Sequence, residues 1–196
     1  MKPPDILQAL QPVISAFDKL SIPYYIGGSI ASSVYGIARA TMDVDIVAVI
    51  KIENVSSLKQ ILVNEYYIDE DMIKDAIRRF SSFNLIHLET MIKIDVFIHK
   101  HQPYAEESLR RKKKDTLEDT EDASEFYFSS PEDIILNKLQ WYEMGNRVSE
   151  RQWLDVIGVI KVQSTNLDVD YLQKWGGQLG ILDLIKKAFL DAGLEF

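Results

Sequence analysis

Apolar residues recur at helical spacing over residues 5–20, at Ile6, Leu7, Leu10, Val13, Ile14, Phe17 and Leu20, which predicts an amphipathic helix. Pro12 falls inside that pattern and predicts a kink or a division into two short helices. Residues 22–26 read as a short buried strand ending at Gly27-Gly28, and residues 29–35 as a helix that Gly36 stops. Alternation over residues 43–50 predicts the strongest strand, with Val44, Ile46 and Ala48 on one face and Asp43 and Asp45 on the other. Residues 55–64 and 71–80 have helical spacing. Residues 83–89 and 92–99 predict paired strands that turn near Thr90-Met91, and Pro103 opens another helix. After a short strand at 126–128, Ser130 is placed to cap a helix with Pro131 in its first turn and Asp133 three residues on. From there the pattern is helical to Phe196, with breaks near Gly145-Asn146, residues 164–167 and Gly176-Gly177.

This order of elements predicts an α/β (α+β) fold: a mixed sheet flanked by helices over residues 1–128, then a helical C-terminal lobe over 129–196. A chain of 196 residues, 46% hydrophobic and 27% charged, can bury a sizeable core. Its net charge of −8 argues against a dedicated duplex-binding protein. No cysteine is present, so thiolate chemistry is excluded. The first residues do not read as a signal peptide, and the longest apolar run, residues 46–50, is far short of a membrane span. A soluble, cytoplasmic protein with no membrane partner is expected. Residues 110–125 pass from Arg110, Arg111, Lys112, Lys113 and Lys114 to a run of acids that includes Asp119, Glu121 and Asp122. That balance reads as a solvated loop, with a lesser possibility that the basic end draws RNA.

Candidate chemistry centres on Gly27-Gly28-Ser29 and on Asp43-Val44-Asp45, which begins fourteen residues after the serine. Carboxylates at i and i+2 of a strand lie side by side and repel, a penalty that a divalent cation removes. Asp95 alternates with Ile94 and Val96, so a neighbouring strand can bring it to the same face. Three such carboxylates suit a pair of Mg²⁺ ions in phosphoryl displacement; three solvent-facing acids on edge strands are the plain alternative. The glycines let backbone approach a phosphate, and helix N-terminal amides favour anions, although Ser29 also serves as an ordinary cap. Arg39 can pair with phosphate or with a carboxylate, and Thr41 can orient the aspartates.

With these residues in view, the stretch from Tyr24 to Val49 resembles the nucleotidyltransferase superfamily typified by DNA polymerase beta. It carries Gly27-Gly28-Ser29, then Gly36, Arg39, Thr41, Asp43 and Asp45. It is most similar to a small bacterial branch, the AbiEii-type toxins and their relatives. Asp95 matches the third aspartate of that pattern. Ser130-Pro131-Glu132-Asp133, Lys138 and Arg151-Gln152-Trp153-Leu154-Asp155 match its C-terminal portion, except that Gln152 stands where an acid is usual. The resemblance implies that Gly27, Gly28, Ser29, Arg39, Thr41 and Lys138 contact the nucleotide, and that Asp43, Asp45 and Asp95 are catalytic and hold Mg²⁺ or Mn²⁺.

Plain readings stand beside these. Lys138 shares a helix face with Ile134, Ile135, Trp141 and Tyr142, where a lysine stem snorkels. Arg151 and Asp155 are spaced for a surface ion pair. His99-Lys100-His101 lacks further zinc-type ligands, so no metal is expected there. Trp141, Trp153 and Trp175 read as helical core. The function expected is metal-dependent transfer of a nucleoside monophosphate from an NTP to an acceptor hydroxyl of RNA or protein, with release of pyrophosphate. The alternatives are an aminoglycoside-type small-molecule acceptor, or a non-catalytic member of a toxin–antitoxin-like pair. A homo-oligomer or an antitoxin-like partner is compatible with either.

Overall fold

The computed structural model describes residues 3–118, 120 and 123–196. In chain order the elements are α1 (Pro3–Lys19), β1 (Tyr24–Ile26), α2 (Gly28–Tyr35), β2 (Asp43–Ala48), α3 (Val55–Leu62), β3 (Tyr66–Tyr67), α4 (Glu70–Arg79) and β4 (Ser82–His87). They continue with β5 (Lys93–Ile98), α5 (Pro103–Arg110), β6 (Lys113–Thr116), β7 (Glu125–Phe128), α6 (Pro131–Met144), α7 (Glu150–Gln163), α8 (Val169–Gln178) and α9 (Leu182–Ala192). They form two compact units, one of residues 1–27 and 40–128, the other of residues 28–39 and 129–196. Helix α2 therefore belongs with the C-terminal helices.

The first unit holds a mixed seven-stranded sheet in the order β3-β4-β5-β2-β1-β7-β6. Its centre is the parallel pair β2–β5, flanked by β4 antiparallel to β5 and β1 antiparallel to β2. Period-two burial organises it: Val44, Ile46, Ala48, Ile94, Val96 and Leu85 are fully buried on one face. Helix α4 packs on β4 and β5, and α1 packs on α3. Edge strand β3 is tied to α1 by the Tyr66 hydroxyl, which donates to the Ala9 carbonyl at 2.6 Å. Helix α4 begins where Asp69 accepts from the amides of Asp71 and Met72, and it ends at Phe80 in the left-handed region.

Three expectations are corrected. Pro12 lies within the single helix α1, so the division into two short helices does not occur. The charged segment after residue 110 is not all loop: Lys113–Thr116 pair antiparallel with β7, Lys113 opposite Phe128 and Thr116 opposite Glu125. A charged strand at a sheet edge keeps its polar side chains in solvent, so no alternation of apolar residues marks it. Asp119, Glu121 and Asp122 of that segment lie outside the described residues. Finally, Gly176-Gly177 do not break a helix but sit inside α8. A Cβ at Gly176 would meet Ile185 of α9, so close helix packing, not chain reversal, explains that glycine.

The second unit is helical. Helix α2 packs on α6 and α7, α7 packs on α6 and α9, and α8 packs on α6 and α9. The segment Ser130-Pro131-Glu132-Asp133 fixes the start of α6. Ser130 Oγ accepts from the Asp133 amide at 3.2 Å and donates to the Asp133 carboxylate at 2.7 Å. Asp133 also accepts from the Tyr171 hydroxyl, and Glu132 accepts from the Asp168 amide. This buried quartet holds α8 against α6, so its role in the structure is architectural. Among the described residues, no helix is long and apolar enough to cross a membrane.

Gly36 sits where backbones touch. A Cβ there would lie 2.7 Å from the Ser32 carbonyl oxygen and 2.8 Å from the Val159 nitrogen, with no flexible side chain to yield. Gly36→Ala is expected to destabilise the second unit by about 1–3 kcal/mol. Urea unfolding that leaves the midpoint unchanged would contradict this packing.

Candidate active site

Burial on one face of β2 and β5 determines what the other face carries. Their parallel register sets Asp45 opposite Asp95 and Asp43 opposite Lys93. Asp43, Asp45 and Asp95, the candidate metal and catalytic residues, thus share a face with Lys93. Strand β4 adds Asn84, opposite Asp95, whose side-chain amide donates to Asp95 Oδ1 at 2.7 Å. Lys93 Nζ stands 2.8 Å from Asp95 Oδ2 and 3.8 Å from Asp43 Oδ1. The hydrogen bond to Asp95 raises the Lys93 pKa, with the charges of all three aspartates adding to it and desolvation opposing. The lysine is thus the resident cation of a carboxylate-rich face.

Lys93 and Asn84 were not among the residues singled out from sequence. Lys93 had a signal, since it precedes Asp95 by two residues on an alternating strand. Asn84 had none, because its place depends on strand register. The donor set of Asp43, Asp45 and Asp95 is all oxygen, which fits a hard divalent cation such as Mg²⁺, provided that the Lys93 ammonium swings away from Asp95.

Local structure anchors this face. Thr41 Oγ1 accepts from the Asp43 amide and donates to the Asp43 carbonyl, both at 3.3 Å. The Gly27 amide donates to the Asp45 carbonyl at 2.8 Å. Gly28, with φ of +55°, takes the left-handed conformation that opens α2, a position at which a side chain would be strained.

Within the second unit, Ser29, Arg39, Lys138 and Asp155 form one network. Arg39 Nε and Nη2 grip Asp155 Oδ1 and Oδ2 at 2.7 and 2.9 Å, and Nη2 also donates to the Ser29 hydroxyl. Lys138 Nζ donates to Asp155 Oδ2 at 2.7 Å and to Gln152 Oε1 at 3.3 Å. Asp155 is therefore not the partner of Arg151 in a surface pair, as helix spacing allowed, but a buried carboxylate held by two cations. Burial disfavours its ionisation, yet hydrogen bonds from Arg39 and Lys138 outweigh that, and its pKa lies below the usual carboxylate range. Gln152, the departure from the toxin-like pattern, supplies Lys138 with a neutral acceptor.

The other candidates fall as follows. Lys112 Nζ lies 4.0 Å over the Tyr127 ring and donates to the Tyr24 carbonyl at 3.2 Å. Lys114 pairs with Glu125, and Arg110 with Glu107. Of the tryptophans, Trp175 is core, Trp153 is half-buried with its indole nitrogen on Asp191, and Trp141 is 54% exposed. The core reading thus fails for Trp141, which lies on the outer side of α6.

No family model matches the sequence, and no curated protein matches it. Solved structures do match. The crystal structure of ANT(2'')-Ia in complex with adenylyl-2''-tobramycin is similar with a TM-score of 0.56 at 13% identity, over 89% of this chain and 96% of that one. The solution structure of the antibiotic-resistance factor ANT(2'')-Ia gives 0.52 at 13% identity, over 97% of this chain and 96% of that one. An antigenic nucleotidyltransferase-like protein from Paracoccidioides brasiliensis gives 0.50 at 19% identity, over 87% and 89%. At these identities the likeness is one of fold.

The Asp155 network generates a pH-dependent prediction. Because its pKa is lowered on folding, the stability it contributes is present above the unfolded value of about 3.9 and is lost as pH falls through the lower folded value. Asp155→Asn leaves two cations without their counter-charge and is expected to cost about 3–5 kcal/mol at pH 7. It should also remove part of the acid dependence below about pH 4. Urea midpoints for the parent and D155N proteins, at neutral and acid pH, measure both effects; parallel pH profiles would contradict the assignment.

Proposed function

We propose that this chain, whose fold is that of nucleotidyltransferases, transfers a nucleoside monophosphate from an NTP to an acceptor hydroxyl. In that reaction the acceptor oxygen forms a bond to the α-phosphorus as the bond from that phosphorus to the β-bridging oxygen breaks. Pyrophosphate leaves with the electron pair, and the hydroxyl proton passes to the Asp95 carboxylate. The observation that carries the reading is the register of β2 and β5, which gathers Asp43, Asp45 and Asp95 on the sheet face opposite the buried Val44, Ile46 and Val96. Mg²⁺ or Mn²⁺ bound by these three would supply positive charge for the phosphate oxygens as the reaction proceeds.

The chain's own residues share the remaining work. Asp95 orients the acceptor hydroxyl and takes its proton, while Asn84 fixes the Asp95 rotamer through Oδ1. Thr41 holds Asp43 in place through the Asp43 backbone. Gly27, Gly28 and Ser29 present the start of α2 to phosphate. Arg39, gripping Asp155 and donating to the Ser29 hydroxyl, fixes that hydroxyl at the start of α2. Lys138, itself buried, acts through Asp155 and Arg39 and does not reach for the triphosphate.

The acceptor that suits this face best is a cationic, hydroxyl-bearing small molecule, ahead of RNA or protein. Within the basic run of residues 110–114 that allowed an RNA reading, Arg110 pairs with Glu107, Lys112 lies over Tyr127 and Lys114 pairs with Glu125. An acidic face on a chain of net charge −8 attracts polycations. The ANT(2'')-Ia structure, bound to an adenylylated aminoglycoside, has the same fold.

Transfer of α-labelled NTPs, one base at a time, tests both levels of the proposal. Reactions contain Mg²⁺ or Mn²⁺ with an aminoglycoside panel, total RNA or the protein alone. Label is expected on the small-molecule class, with loss of about three orders of magnitude in the Asp43→Ala/Asp45→Ala protein. Label on RNA or protein instead would replace the acceptor and keep the reaction. No transfer to any class and no metal-dependent NTP binding would leave the non-catalytic partner reading.

A further inference from the structure

Beyond the aspartate face, the first unit carries a second set of ligand-type side chains where the chain leaves β5. His99 and His101 are two apart on the extended segment that follows the strand, so both imidazoles emerge on one side. Their rings pack edge to face, with centroids 5.6 Å apart. The chain then turns into α5, and the first turn of that helix brings back Glu106, whose Oε1 lies 2.9 Å from His101 Nδ1. One ligand atom from each of His99, His101 and Glu106 falls within 4.8 Å of the others. Along the sequence the two histidines lack a further ligand; the fold provides it from seven residues downstream of His99.

His99 is the second, independent observation. It is 2% exposed, yet neither of its ring nitrogens has a hydrogen-bond partner among the described residues. A buried imidazole without a partner loses its hydrogen bonds to water and gains none in return, so such rings are normally satisfied. The backbone on either side is well anchored: the His99 amide donates to the Ala48 carbonyl at 2.9 Å, fixing the ring's origin beside the end of β2. Phe80, at the end of α4, packs edge to face on His101 and gives the cluster an apolar wall. A buried, oriented and unpartnered nitrogen beside an exposed imidazole–carboxylate pair lacks only a cation to satisfy it.

We propose that His99, His101 and Glu106 bind a divalent transition cation of the Zn²⁺ class. Two imidazoles and one carboxylate match the ligand preferences of that class and not those of Mg²⁺, which takes oxygen donors. Zn²⁺ with three protein ligands keeps a fourth position open to water or to another ligand. Ligand atoms around one tetrahedral Zn²⁺ lie about 3.3–3.5 Å apart at the usual bond lengths. Small rotations of His101 and Glu106, whose side chains are 66% and 54% exposed, close the set around His99. Binding replaces the His101–Glu106 hydrogen bond and releases the proton it holds.

The test uses the full chain labelled with ¹⁵N, stripped by chelator and titrated with ZnCl₂ in millimolar Mg²⁺. The chain has three histidines, and His87, whose Nδ1 already pairs with Thr90 at 2.9 Å, is the internal control. The ring nitrogens of His99 and His101 are expected to shift with one equivalent of Zn²⁺ while those of His87 stay. Glu106→Gln and His101→Ala, both at exposed positions and checked for retained fold by circular dichroism, are expected to weaken binding about tenfold or more. The proposal is overturned if the His99 ring does not respond, if all three histidines shift alike, or if the folded E106Q protein binds Zn²⁺ as tightly as the parent. Because the readout is ring nitrogen and not nucleotide transfer, its outcome is independent of whether the chain is a nucleotidyltransferase.

Discussion

The parallel pairing of β2 with β5 is the constraint on which the candidate chemistry rests. Val44, Ile46 and Ala48 on one strand, and Ile94 and Val96 on the other, are buried on a common face. A slip of one residue would turn those side chains outward and drive Asp43, Asp45 and Asp95 into the core. Burying even one unpaired carboxylate costs several kcal/mol, a large fraction of the 5–15 kcal/mol that holds a typical domain together. Hydrophobic burial therefore places the aspartates, with no specific interaction among them required. What the aspartates do require is charge compensation, and Lys93 supplies it at Asp95, where Asn84 adds a hydrogen bond.

The second unit solves a different electrostatic problem. Asp155 is buried on α7 and would be costly alone; Arg39 grips both of its oxygens and Lys138 reaches one of them. A buried carboxylate held by two cations is strongly coupled, unlike the exposed i, i+4 pairs of Asp75 with Arg79 or Glu143 with Arg147, which contribute little. The same network fixes the Ser29 hydroxyl through Arg39, so the start of α2 and the middle of α7 are held by one side chain. Backbone contact reinforces this: Gly36 lets the end of α2 approach α7 more closely than any side chain would allow, and a Cβ at Gly158 would press on Ile37 at 3.2–3.3 Å.

Much of this was legible in the sequence, because period and capping are local properties. Alternation identified β2 and β5 and assigned the faces of Asp43, Asp45 and Asp95, and Ser130-Pro131 marked the start of α6. What escaped was whatever depends on contacts distant in sequence. Strand β6 is charged and reads as loop until β7 pairs with it, and β3 has only two residues, too few to show a period. Gly176 reads as a helix breaker until Ile185 is seen against it. The partners of Asp155 are 116 and 17 residues away, whereas Arg151, four residues away, offered the simpler pairing. Glu106 belongs to the same class, since only the turn into α5 returns it to His101.

Strand β5 and its continuation carry two donor sets of opposite character. Asp95 lies within the strand and His99 just past its end, four residues on, which in extended chain is about 13 Å. One cation cannot satisfy both at that distance, so the two donor sets would hold separate ions. The first is built from carboxylate oxygens around an ammonium, which suits a hard, strongly hydrated ion that exchanges freely with substrate phosphates. The second is built around a buried imidazole with no other partner, which suits a borderline ion that stays. A chain that uses Mg²⁺ for chemistry gains from keeping transition metals away from its aspartates, because those ions bind most sites more tightly. On the two proposed sites, separation by donor type would hold such an ion at the imidazoles just past the end of β5 and leave the carboxylates of β2 and β5 to the ion that nucleotides bring.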